Sequence, residues 1–359
     1  MQTTLANTTI SGYVDTAVQY NAGNQAQTSV QPIGTFPGKV DNFSLNDIDI
    51  AIDKPVDSTP WAAGYHADFN LGTDAQGWTG LGNGTAGTAV RQAYVALSTP
   101  VGNGITWKMG IQDDIIGYEG NTDGANPNYT RSIAWNLEPA TLLGLVGSYQ
   151  INSLISIQAG IANATQLGQT NLSSKAFVGA IALTAPDSWG FLKGGTANVG
   201  IVANPEKYGQ YNYYAGFTIP TPINILKVGG AFDLVSINNS GTGNPGSDSG
   251  WVLGGYANVQ ATDKLALNLR GEVYDLKGTS ASLTPGLPGG INPISSYGNS
   301  ADGVGEEFTA TVQYNLWANV ISRVEFRWDH EDVRPYSFGV SSSPVQDSFI
   351  LALNIIYTF

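Results

Sequence analysis

The chain has 359 residues, of which 42% are hydrophobic but only 12% charged, and its formal net charge is −13. A soluble domain carries about 25% charged residues; here Gly (45 residues), Asn, Thr, Ser and Gln take their place, which excludes an ordinary water-wetted surface. The acidity excludes nucleic acid as a partner, and the lack of cysteine excludes disulfides, c-type haem attachment and cysteine metal sites. No run of about 18 apolar residues exists, so no transmembrane helix is expected. Met1–Asn7 is short and polar, so no signal-peptide pattern precedes the first strand, as fits a mature chain.

What remains is strands. Residues 9–21 alternate, with Ile10, Val14, Val18 and Tyr20 on one face and Tyr13, Asp15, Ala17 and Gln19 on the other. A polar loop runs to Gly38. The second strand, 40–52, slips phase between Leu45 and Ile48, which predicts a bulge. In the third, Trp61 to Leu71, the apolar residues alternate with Ala62, Gly64, His66, Asp68 and Asn70. Further strands are expected at 89–98, 104–116, 139–151, 154–165, 174–185, 196–204, 211–219, 223–235, 250–261, 264–276, 306–316 and 319–330. The last is Ser348–Phe359, where Phe349, Leu351, Leu353, Ile355, Tyr357 and Phe359 share one face and Ser348, Ile350, Ala352, Asn354, Ile356 and Thr358 the other.

Two regularities give the architecture. Connections alternate between short, such as 53–59, 99–103, 220–222 and 262–263, and long, such as 117–138 and 277–305; the turn at 186–195 is the exception in length. Short turns on one side and long loops on the other are what a membrane-spanning β-barrel needs. Trp residues also gather at strand ends, with Trp61, Trp107, Trp189 and Trp317 near short turns and Trp251 and Trp328 near long loops, the two heights of an aromatic girdle. A soluble sandwich would alternate too, but would carry Lys and Glu on its wet face. The expected fold is therefore all-β: one domain over 1–359, a transmembrane antiparallel up-and-down barrel of about 16 strands, with short periplasmic turns and long extracellular loops.

Strand phase assigns the charges. Asp15, Asp68, Lys108, Asp114, Lys227, Asp233, Arg270, Glu272, Arg323, Glu325, Arg327 and Asp329 fall opposite the apolar face and are the expected pore-lining residues. An Arg facing lipid at mid-bilayer costs roughly 2–4 kcal/mol, and a lumen position avoids that. Pairs such as Arg323 and Glu325 are read either as solvated wall contacts or as a field that filters solutes by charge. Sixteen strands leave an aqueous channel, so a loop must narrow it. The segment 117–138 is the candidate constriction loop through Glu119, Asp123, Arg131 and Glu138; the alternative is a loop that only packs outside.

The motifs Ser11-Gly-Tyr-Val-Asp15, Arg91-Gln-Ala-Tyr-Val95, Lys108-Met-Gly-Ile-Gln112, Gly117-Tyr-Glu119 and Asn126-Pro-Asn-Tyr-Thr-Arg-Ser132 resemble the putative beta-barrel porin-2 (OmpL-like) family. The closing strand also resembles the C-terminal signal of bacterial outer-membrane barrels, with Phe359, Tyr357, Ile355 and Leu353 as the residues of an assembly signal. The resemblance implies a Gram-negative outer-membrane porin for passive diffusion of ions and small hydrophilic solutes. The expected surroundings are outer-membrane lipid and lipopolysaccharide, with the barrel-assembly machinery as a partner. A homotrimer is the expectation from other sixteen-stranded porins. A structural or interaction barrel, an adhesin or a sheath acting through its outer loops, is the other reading.

Enzymatic readings fare poorly. His66 beside Asp68 reads as a pore-wall residue. Asp329-His-Glu-Asp332 reads as a solvated rim before a cation site. Gly241–Gly246 matches a dinucleotide fingerprint literally, but contains Pro245 and precedes no helix. No catalytic residue, metal or cofactor is expected.

Overall fold

The computed structural model describes residues 7–22, 39, 41–77, 87–164, 175–205, 209–238, 247–277, 303–332, 336–337 and 344–359. The strands are β1 (Thr9–Ala22), β2 (Asn42–Lys54), β3 (Ala63–Leu71), β4 (Thr88–Thr99), β5 (Ile105–Asp113), β6 (Thr141–Gln150), β7 (Ile155–Ala162), β8 (Ala176–Thr184) and β9 (Thr196–Asn204). They continue with β10 (Gln210–Pro220), β11 (Leu226–Asn238), β12 (Ser247–Gln260), β13 (Leu265–Lys277), β14 (Gly303–Trp317), β15 (Val320–Glu331), the two-residue pair β16 (Tyr336–Ser337) and β17 (Pro344–Val345), and β18 (Asp347–Thr358). One short helix, α1 (Ile133–Leu137), lies between β5 and β6.

All strands except β16 and β17 form one closed antiparallel barrel in which sequence neighbours pair. Closure is made by β18, which pairs with β15 on one side and with β1 on the other, Tyr13 opposite Thr358 and Ala22 opposite Phe349. A closed sheet leaves no unpaired edge for lipid to meet, the condition for crossing a bilayer with strands.

The period-two pattern becomes two chemically different walls. On β18 Leu351, Leu353, Ile355 and Tyr357 are 41–52% exposed, whereas Ile350, Ala352, Asn354 and Ile356 are at most 2%. The apolar set therefore points outward, to lipid, and the smaller and polar set inward. Phe359 continues the outer face, and its backbone exchanges two hydrogen bonds with Gly12. Trp61, Trp189 and Trp317 are exposed at the short-turn end. The bulge expected on the second strand is present: the register shifts at Asp15/Thr16, and Asn46 is the extra residue. A second, unforeseen bulge at Asp68/Phe69 makes Arg91 the extra residue on β4.

Some boundaries differ from the pattern-based ones. The fifth strand ends at Asp113, so Asp114 is not on a strand face; its carboxylate accepts from the Ile115 amide and starts the inter-strand segment. The turn before β15 falls at 318–319, with Asn319 at φ 64°, one residue later than expected. The loops through 23–38 and 278–302 and the fingerprint-like stretch 241–246 lie outside the described residues.

Candidate functional site

The segment from Asp114 to Ala140 touches walls of the barrel that face each other. Gly117, at φ 115°, turns the chain after β5, a conformation that side chains rarely adopt. Tyr118 then reaches the β10–β11 wall, where its hydroxyl accepts from Thr218 at 3.0 Å. It fits because residue 229 is glycine: a Cβ there would meet the phenol. Beyond Glu119 the chain passes Tyr13 of β1 and Arg323 of β15, forms α1, and returns to β6 past Asn212 of β10, whose amide donates to the Leu137 carbonyl at 2.8 Å.

The strands β13 to β15 hold this segment mainly by its backbone. Arg323 donates to the carbonyls of Asp123 (3.1 Å) and Asn126 (2.6 Å), and Arg327 to that of Arg131 (2.8 Å). Arg270 donates to the Thr130 carbonyl (2.8 Å), to Glu119 (2.8 Å) and to Glu307 (3.1 Å). Carboxylates take the amides: Glu325 accepts from Tyr129 (2.6 Å) and Thr130 (2.9 Å), and Glu272 from Ile133 (2.7 Å) and Ala134 (3.1 Å). The last two are among the orphan amides of the first turn of α1, and Ser132 caps a third, that of Trp135, at 3.0 Å. A loop packed away from water must pair its backbone groups somewhere, and the charged side chains of the wall do this.

Six of the expected lining residues lie inside the barrel, in surroundings that strand phase does not give. Arg270, Arg323, Arg327, Glu272, Glu325 and Asp329 are at most 3% exposed, so their charges meet the loop and one another, not water. The pairing within β15 differs too: Arg327 binds Asp329 at 2.6 Å, while Glu325 faces the loop amides and Thr311. In the loop, Arg131 binds Asp123 at 2.5 Å. Glu138 packs against Asp233 of β11; burial, then the Asp233 carboxylate, holds its pKa well above the usual carboxylate range.

The other expected lining residues lie apart from this network. Asp15 accepts from Asn46 at 2.8 Å and from Asn354 of β18, and Asp68 pairs with Arg91. The Lys108 ammonium sits 4.6 Å over the Tyr94 ring, and Lys227 is exposed near the short turns. His66 bonds Asp53 at 2.9 Å and stacks on Tyr94, with Asp68 3.8 Å away. The acidic run at 329–332 is split by its strand: Asp329 and Glu331 turn inward, whereas His330 lies outward against Asp347. Among the described residues no cluster has metal-binding geometry.

Four participants escaped sequence reasoning. Arg91 binds Asp68 and Asp113 because the β4 bulge turns it inward, and that bulge breaks the alternation that would have flagged it. Glu307 shares the phase of Thr309, Thr311 and Gln313, which was the available signal. Lys39 and Asp74 form a buried pair between two outer loops, for which no periodic signal exists. Burial pushes the Asp74 carboxyl up to about 6, against the Lys39 ammonium, which pulls it down.

A closed barrel with an apolar belt, charged inner walls and a segment laid across its interior is the structure of an outer-membrane channel. The family described as "Putative beta-barrel porin-2, OmpL-like" matches residues 7–359, and the chain belongs to it: it is a porin of the bacterial outer membrane. Solved structures share the barrel at low identity. The outer membrane channel DcaP of Acinetobacter baumannii has a TM-score of 0.63 at 10% identity, covering 98% of this chain and 97% of that one. OmpT of Vibrio cholerae in its trimer form gives 0.62 at 13%, covering 98% and 99%. The anion-selective porin from Comamonas acidovorans gives 0.60 at 12%, also covering 98% and 99%. No curated protein sequence matches significantly.

Proposed function

We propose that the segment 117–138 sets the narrowest part of a water-filled path for ions and small hydrophilic solutes, and that the arginines of β13 and β15 are its fasteners. The observation that carries this reading is the set of hydrogen bonds from the segment to β1, β10, β13, β14 and β15, which reach across the lumen. A constriction works only if it holds its position against thermal motion, and eight residues of the segment clamped by charge-assisted bonds meet that need. Selection then follows from diameter and from the charges left facing water, Lys108 and Lys227 among them. Passage down a gradient needs no catalytic group, so the protein acts as a channel and not as an enzyme.

The same reading makes the outer face of β18 the assembly signal presented to the barrel-assembly machinery, sets the girdle against lipid and lipopolysaccharide, and takes the assembly as a homotrimer. The test is single-channel recording in planar bilayers with wild type and a variant lacking Asn121–Asn126. Ohmic steps for the wild type and larger ones for the deletion are expected. Folded protein without steps would sink the channel reading, and equal steps would place the segment outside the narrow path.

A further inference from the structure

One cavity lies beside the fastened loop. It is an open pocket of about 390 Å³ between residues 124–127 and the short-turn ends of β10 to β14. Elsewhere in the interior Arg270, Arg327 and Arg91 are each paired with carboxylates. Among the described residues no carboxylate lines the space, and Lys227 is the one charged residue that does. Among the described residues Lys227 has no ion pair, and it is exposed to the cavity and the adjoining mouth.

The remaining polar groups have definite free valences. The Tyr118 ring stacks on Tyr256, centroids 3.9 Å apart. Its hydroxyl accepts from Thr218, which leaves the phenol hydrogen free to donate. Gln313 uses its oxygen to accept from Arg323 at 3.1 Å, which leaves its amide hydrogens. Asn258 donates to Asn268, which in turn donates to the Pro127 carbonyl at 2.7 Å; the Asn258 oxygen is left as an acceptor. The site therefore offers the Lys227 ammonium, neutral donors on Tyr118 and Gln313, an acceptor on Asn258 and an aromatic floor. Unpaired donors around a lone ammonium suit a single negative charge, and the facing acceptor suits a hydroxyl.

We infer that this cavity is a binding station for a small hydroxylated monocarboxylate on its way through the channel. The carboxylate lies against Lys227, and the hydroxyls against Tyr118, Gln313 and Asn258. The volume, near the lower end of small-molecule sites, matches a six-carbon acid better than an oligosaccharide. The inference rests on the channel reading above.

The test uses the full chain in planar bilayers in KCl, with sodium gluconate as the probe. A saturable fall in current is expected. Lys227→Gln should raise the half-blocking concentration about tenfold, the loss of one charge-assisted hydrogen bond, and Lys227→Arg should keep it near wild type. Glucose, which lacks the charge, and propionate, which lacks the hydroxyls, should each block at least about tenfold more weakly by the same reasoning. Equal block of wild type and Lys227→Gln, or equal block by propionate, overturns the assignment. Calorimetric titration of gluconate into detergent-folded protein reads the site without current. No heat there refutes the station even where KCl steps are normal, whereas heat without any KCl steps upholds the site and refutes the channel.

Discussion

Replacing Arg270 by Met removes the guanidinium on which three carboxylates converge. Glu119 and Glu307 bond it directly, and Glu272 lies 3.6 Å from it, all within a region closed to solvent. Taking one partner from a buried ion pair costs about 3–5 kcal/mol, because the remaining charge stays buried and uncompensated. The barrel ladder itself is untouched, since the side chain points away from β12 and β14 backbone pairing. The cost should therefore fall on the seating of the loop, as a local opening. Glu272 holds the amides of Ile133 and Ala134, so these report the change. At the lower figure of about 3 kcal/mol their hydrogen exchange should quicken about 150-fold, with the strand amides of β10 to β15 unaffected. Exchange at Ile133 and Ala134 within about fivefold of wild type would refute the claim that Arg270 fastens the loop. A variant that also carries Glu119→Gln and Glu307→Gln should recover much of the loss, because the unpaired charges are then gone.

Arg323→Gln gives up the donors to the Asp123 and Asn126 carbonyls; raised proteolysis at 121–126 and noisier open-channel current are expected, and unchanged values for both would count against its role. Glu138 supplies a pH prediction. Its pKa is raised in the folded protein, so its contribution is fully present below the ordinary value of 4.5 and is lost as pH climbs through the folded value. The groups facing it are Asp233, Asp114, Glu119 and Tyr214, none of them a cation. Wild-type loop amides should therefore exchange progressively faster on going from about pH 5 to alkaline pH beyond the intrinsic trend, and Glu138→Gln should flatten that profile; a profile unaltered by the substitution argues against the linkage. Removing Phe359 deletes its two backbone hydrogen bonds with Gly12, worth about 0.5–1.5 kcal/mol each. Slower folding into lipid vesicles with normal conductance of the folded fraction is expected, and folding at the wild-type rate would remove Phe359 from the assembly signal.

The fold was legible because lipid and water impose opposite demands on adjacent residues. A strand in a barrel wall must alternate, so the period of two in Trp61–Leu71 or Phe349–Phe359 reports both the strand and the face of each side chain. Short turns and long loops reported direction and strand parity. Where the backbone departs from strict alternation, as at the β4 bulge, the reading lost Arg91. Where an element has no period, as with Lys39 and Asp74, it had nothing to read.

The candidate site divides along the same line. By itself the sequence determined the strands, their lipid-facing belt and the inward direction of Arg270, Glu272, Arg323, Glu325 and Arg327, because each of these depends on residues near in the chain, whereas closure joins Tyr13 to Thr358. Only the tertiary structure decided what those charges do. Arg323 and Asn126 are 197 residues apart, and Arg270 and Thr130 are 140 apart. Pairing across such distances depends on how a non-periodic loop crosses a closed lumen, and no local pattern encodes that path. It seats Arg270, Arg323 and Arg327 against the loop and, among the described residues, leaves Lys227 without an ion pair.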